Sequence, residues 1–178
     1  MPFLAPPTSG GGRTLISSQT PTGVGVVTFS SIPGTYSKLI LEAAIRSTQA
    51  AAAVNLTTKL NNDTTAANYR VNVNYVHSSG TAGAAAAANA ILLALVPGAS
   101  APADEFAVLR MEIPQYANGG INHHILGSLS MTYDASAVFV QCAHFSIGYK
   151  DKTAITRLDL TLSAGNFETE SILKLYGE

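Results

Sequence analysis

The amino-acid sequence predicts an all-β protein: an antiparallel β-sandwich, a jelly roll of about eight to ten strands, with an extended N-terminal arm. Two observations carry this. Apolar and polar residues alternate with period two in several segments, most regularly through Tyr69-Arg70-Val71-Asn72-Val73-Asn74-Tyr75, so one face of each segment is bound for a core. Turn formers also recur roughly every 8 to 15 residues, and no long stretch carries a helical period.

Residues 1–12, MPFLAPPTSGGG, hold three prolines, a glycine triplet and no charge. That composition forms no packed element and reads as an arm, about 40 Å long if extended. Free tails are usually hydrophilic, whereas this one opens with Phe3 and Leu4. Its tip is therefore expected to dock on something, with Pro2, Phe3, Leu4, Pro6 and Pro7 as the candidate contact residues.

Residues 13–178 read as one sandwich. Segment 24–29 is rich in β-branched residues and precedes the turn Ile32-Pro33-Gly34. Segment 39–46 has some helical propensity, but Pro33-Gly34-Thr35-Tyr36 supplies no good cap, so strand is favoured. Segment 54–60 alternates, and Asn61-Asn62-Asp63 follows as a turn, since Asn and Asp bond their own backbone. The alanine-rich stretch 80–88 reads as a loop before a short buried strand at 90–96. In 106–113, Phe106, Val108, Met111 and Ile113 share a face, with a phase slip near Leu109 that suggests a bulge. Further strands are expected at 122–133, 138–149, 154–162 and 172–176.

The chain has 178 residues, with 10 Lys+Arg against 11 Asp+Glu and a net charge of −1. Only 12% of residues are charged, about half the usual ~25%, and the mean hydropathy is +0.22. Disorder requires the reverse balance, and general nucleic-acid binding requires a basic excess. Either Ser, Thr and Asn keep the chain soluble, or other chains cover much of its surface. The single cysteine, Cys142, forms no internal disulfide; within the apolar run 138–145 it reads as a small buried hydrophobe, and it suits a reducing compartment. The N-terminus lacks the basic region of a signal peptide. The most apolar window, 82–99, is interrupted by Gly83, Asn89, Pro97 and Gly98, so no membrane span is expected.

Candidate chemistry is sparse. His123 and His124 are adjacent on an expected strand and point to opposite faces. His124 and His144 could meet across neighbouring strands, but no carboxylate completes a metal site. No G-x-S-x-G elbow is present, and Gly10-Gly11-Gly12 lacks the Lys of a phosphate loop. The expectation is therefore no enzyme, no cofactor and no metal. Glycan binding relies on exposed aromatics; the chain has no Trp, and Tyr36, Tyr116 and Tyr149, in or beside turns, are the candidates. The competing reading makes them strand-end anchors.

The segment Val27-Thr28-Phe29-Ser30-Ser31-Ile32-Pro33-Gly34-Thr35-Tyr36-Ser37-Lys38-Leu39 resembles the opening of a group of tailed-bacteriophage structural proteins and their prophage relatives. Asn61-Asn62-Asp63, Asn68-Tyr69, Ile113-Pro114-Gln115-Tyr116-Ala117, Asn166-Phe167 and Leu175-Tyr176-Gly177 follow in the order of that group. Gln115 stands where Asn is common, and the alanines at 82–88 are an insertion. The resemblance implies a virion β-domain. With a single domain, an apolar arm and no shaft or coiled coil, the expected role is a capsid decoration (cement) protein. It would be made in the host cytoplasm and sit on the outer capsid as a homotrimer bound to the major capsid protein, contacting neither nucleic acid nor membrane. The alternative is a tail-fibre or receptor-binding module for a host glycan.

Overall fold

Period-two alternation becomes strand wherever a core is available to one face. The computed structural model describes residues 12–77, 82–85, 91–132 and 140–178. These form β1 (Thr14–Gln19), β2 (Val26–Phe29), β3 (Lys38–Ile45), β4 (Ala53–Leu60), β5 (Tyr69–His77) and β6 (Ala82–Ala85). After them come β7 (Ile91–Pro97), β8 (Ala107–Pro114), β9 (His123–Thr132), β10 (Val140–Tyr149), β11 (Leu158–Leu162) and β12 (Ile172–Gly177). One short 3-10 turn, Ala66–Asn68, precedes β5.

The strands lie in an eight-stranded sheet, β1-β12-β3-β8-β9-β10-β5-β6, and a four-stranded sheet, β2-β11-β4-β7. Setting β5, β6, β9 and β10 aside, the other eight pair first with last: β1 with β12, β2 with β11, β3 with β8, and β4 with β7, all antiparallel. A long hairpin wound around a core has this connectivity, which is the jelly roll. The β12–β3 and β11–β4 ladders complete its two sheets. The four remaining strands arrive as two insertions, β5–β6 after β4 and β9–β10 after β8, and they widen the larger sheet. Their inner face is covered by β7, which packs against β5, β9 and β10. Leu39, Leu41, Leu56, Leu60, Ile125, Leu129, Ile147 and Phe167 are among the side chains buried between the sheets.

Most expected strands are present, with instructive differences. β1 escaped notice because it is an edge strand with a register shift between Leu15 and Ser17, which breaks its alternation. Residues 82–85, expected as loop, form β6 on β5; 80–81 and 86–88 lie outside the described residues. β11 begins at Leu158 because Asn61 holds the preceding segment. Its Nδ2 donates to the Ala154 carbonyl at 3.0 Å, and its Oδ1 accepts from the amides of Thr156 at 2.9 Å and Arg157 at 3.2 Å.

The bulge expected near Leu109 is absent: β8 pairs with β3 without a shift. Ala107, Leu109, Met111 and Ile113 face inward, and Val108, expected in the core, faces outward at 62% exposure. A bulge occurs instead in β7, where Leu56 pairs with Ala94 and Thr57 with Leu92, leaving Leu93 extra. Cys142 also departs from expectation. On β10 the inward places belong to Gln141 and Ala143, so the thiol is exposed.

Asp63 is the turn former its context predicts. Asn61 and Asn62 take positive φ (51° and 56°), and the Asp63 carboxylate accepts from the Thr65 amide at 2.8 Å and Asn68 Nδ2 at 2.7 Å. Burial pulls its pKa upward as the largest single influence, yet these hydrogen bonds together hold it below the ordinary value.

Candidate functional site

Strand register turns the outer face of the large sheet into a map, because outward side chains of paired residues stand side by side. Reading from β12 through β3, β8, β9 and β10 to β5, one row is Ile172, Ala44, Val108, Ser130, Cys142 and Val76. Val108, Val76 and Ile172 are exposed. The next row is Lys174, Glu42, Arg110, Ser128, His144 and Asn74; the third is Tyr176, Ile40, Glu112, Leu126, Ser146 and Asn72.

The charges on this face neutralise one another in a chain. Arg13 Nη1 lies 2.6 Å from Glu42 Oε1, and Arg110 bridges Glu42 at 3.3 Å and Glu112 at 2.8 Å. Lys38 links Glu112 at 3.8 Å to Glu178 at 3.3 Å. The Arg110 hydrogen bond holds the Glu112 carboxyl below its ordinary pKa. Exposed pairs of this kind add only about 0–1 kcal/mol each; their larger effect is to neutralise these six charges against one another. Ile40 belongs to this face, not to the central core cluster, yet is fully buried between Tyr176 and Glu112.

Towards β9, β10 and β5 the face is almost free of charge. Among its described outward side chains only Arg70 is formally charged, beside His124, Leu126, Ser128, Ser130, Cys142, His144, Ser146, Asn72, Asn74 and Val76. Two shallow depressions meet at Leu126, Gly127 and His144. One adds Arg110, Glu112 and Ser128, the other Asn72, Asn74 and Ser146. His144 Nε2 lies 3.7 Å from Cys142 Sγ. His124 pairs with Gly148, four positions from His144 along the ladder, so those two histidines stand about 13 Å apart. Among the described residues no three His, Cys, Asp or Glu side chains gather to hold a metal.

The three tyrosines considered for glycan stacking are placed otherwise. Tyr149 and Tyr116 are fully buried, so neither offers a ring face to a sugar. Tyr149 stacks on Tyr69 at 5.0 Å between centroids, stands 6.3 Å from the His123 ring, and donates to Asp151 Oδ2 at 3.4 Å. Burial first, then the Tyr69, Asp63 and Asp151 charges, push its phenol well above the ordinary range. Tyr69 is raised to about 12 for the same reasons, burial first. Tyr116 donates its hydroxyl to the Pro33 carbonyl, closing the Ile32-Pro33-Gly34 turn. Tyr36 is half-buried and lies flat over Gly177, where a Cβ would come within 2.2 Å of its ring. Tyr116 and Tyr149 are thus anchors at strand ends, while Tyr36 keeps part of its ring exposed.

His123 is buried, with Nε2 at 2.8 Å from the Thr153 carbonyl; its Nδ1 and the Oε1 of buried Gln141 have no hydrogen-bond partner. Pro2, Phe3, Leu4, Pro6 and Pro7 lie outside the described residues. The residues that sequence reasoning missed are Val108, Ile172, Leu126 and Val76, apolar side chains on an outward phase. Their only sequence signal was apolar character at a position whose parity the neighbouring residues left ambiguous. No helix among the described residues is long and apolar enough to cross a membrane. No protein-family model, curated protein or solved structure matches the chain.

Proposed function

We propose that this chain is a structural protein of a tailed-bacteriophage virion, a decoration protein that binds the outer capsid and bridges capsomers as a homotrimer. The observation that carries the reading is the widened outer face. Two insertions extend a jelly-roll sheet to eight strands, and the added surface bears exposed Leu126 and Val76 among Ser, Asn and His with a single charge, Arg70. Such a surface is inexpensive to desolvate against another protein. The low overall charge of the chain agrees with it. Binding only the mature shell would stabilise that state by about 2.7 kcal/mol at a free concentration a hundredfold above Kd.

A second reading, a receptor-binding module for a surface glycan, draws on the polar depression at Asn72, Asn74, Ser146 and His144, with the buried tyrosines excluded from it. Antibody labelling of phage particles separates the two. Label over the capsid supports decoration, label confined to the tail supports the second reading, and unlabelled particles overturn both. Deleting residues 1–12 is expected to lower shell occupancy while the sandwich stays folded; unchanged occupancy removes the arm from the mechanism.

A further inference from the structure

The outer face carries a notch whose position and chemistry point back to the chain's own N-terminal arm. Ala44 lies in register between Ile172 on one side and Val108 on the other. At about 4.8 Å per strand the two larger side chains stand roughly 10 Å apart over a floor one methyl high. The depression there measures about 480 Å³ and is bordered along one side by Lys174, Glu42 and Arg110. Its walls are exposed apolar side chains, Val108 at 62% and Ile172 at 42%.

The chain enters β1 at the end of the sheet opposite the notch, and the Arg13 side chain at that entry reaches the notch border. Thr14 pairs with Gly177, at the far end of β12 from Ile172. Arg13 nevertheless reaches back over the face to Glu42, which stands level with Lys174. Glu42 both borders the notch and lies two residues from its floor, about 7 Å along the strand. From Phe3 to Arg13 the arm spans ten residues, ending in three glycines. As a flexible chain such a length has an r.m.s. extent of about 16–19 Å. That matches the roughly 17 Å along β12 from Gly177 to Ile172, so an arm folded back over the face spans the gap, and it keeps the effective concentration of the tip in the millimolar range.

We propose that Phe3 and Leu4 seat in the notch formed by Ala44, Val108 and Ile172 of the same chain. The fit is chemical as well as geometric. The arm carries no charged side chain, and the rim charges Glu42 and Arg110 are already paired with Arg13 and Glu112; Lys174, the third rim charge, is exposed and keeps its head in water above an apolar guest. Burying one aromatic side chain contributes a factor of about 10 to 100 towards the docked form, set against the entropy of ordering the arm. Docked, the arm covers the apolar end of the outer face in the free chain, and a partner taking that face has to displace it.

The inference concerns the free protein and stands apart from the capsid reading; its failure would leave shell labelling and occupancy untouched. Because the chain has no Trp, Phe3→Trp in the full-length protein gives a single-tryptophan reporter. The expected result is blue-shifted emission and iodide quenching about tenfold weaker than in Phe3→Trp/Val108→Asp. Both properties should be independent of protein concentration, with a monomeric mass. Ile172→Asp is a second, independent way to open the notch; both wall positions are exposed, and far-UV circular dichroism confirms that the variants fold. A solvent-like tryptophan in the parent, or protection that survives both wall variants, overturns the proposal. Protection that rises with concentration, together with a larger mass, assigns the notch to a second copy's arm and overturns docking within one chain.

Discussion

Gly127 offers the sharpest test of how the added strands are packed. It lies on β9 directly between Phe145 of β10 and Met111 of β8. A Cβ at this position would fall 2.1 Å from Phe145 Cζ and 2.6 Å from the Arg110 carbonyl oxygen. The phenyl ring thus occupies the space a side chain at 127 would fill, the arrangement by which an aromatic shields a strand glycine. Phe145 is itself buried, so the ring has little room to retreat, and the backbone oxygen has none. Overpacking of a well-filled core costs about 1–3 kcal/mol, and the rigid carbonyl puts Gly127→Ala at the upper end, about 2–3 kcal/mol. For a chain of this size that lowers Tm by about 5–10 °C.

Phe145→Ala alone should cost about 3–5 kcal/mol as a cavity mutation. In that background the extra methyl at 127 finds space on one side, so the double variant should be about 1–2 kcal/mol more stable than the sum of the single effects. Urea unfolding followed by far-UV circular dichroism gives all four corners of the cycle. Additivity within about 0.5 kcal/mol, or a Gly127→Ala protein as stable as the parent, would refute the reasoning that the ring and the glycine share one space.

Two further outcomes follow from buried polar groups. Arg46 is 6% exposed, and its guanidinium donates to the carbonyls of Pro102, of Glu105 at 3.0 Å and of Ala101 at 2.9 Å; Arg46→Met should cost about 2–4 kcal/mol by stranding them, and an unchanged urea midpoint would discount this loop clamp. The Tyr69 phenol is held at about 12 against an ordinary 10.0, so above pH 10 the unfolded chain binds fewer protons than the folded one. Stability should therefore fall from pH 10 to 12, by about 2–3 kcal/mol from this group. Tyr69→Phe should lose stability less steeply over that window; identical slopes in both proteins would show that Tyr69 does not titrate as its burial implies.

Much of the fold could be read from local pattern, because a strand with one face in a core must alternate whatever its neighbours are. Segments 54–60 and 69–75 announced β4 and β5, and Asn61-Asn62-Asp63 announced its turn, since the chemistry of those residues acts within a few positions of itself. Val108 shows where local pattern fails. An outward valine beside an inward leucine gives two acceptable phases, and only the unbroken ladder with β3 selects one. β1 shows a second kind of failure, because a bulged edge strand that sets only Ile16 against the core has too little covered face to impress a period on its sequence. Cys142 shows a third: an apolar run predicts burial for all its members, whereas register exposes alternate ones.

The sequence by itself determined that this chain is a β-sandwich of jelly-roll character with little charge, since composition and alternation are properties of the local sequence. Only the tertiary structure decided that two insertions widen one sheet, that Tyr116 and Tyr149 are anchors, and that Ile172, Ala44 and Val108 form one notch on its outer face. Those residues are 64 positions apart between Ala44 and Val108 and again between Val108 and Ile172. What brings them together is the pairing of β12 with β3 and of β3 with β8, a non-local choice that the core as a whole makes and that no single segment encodes.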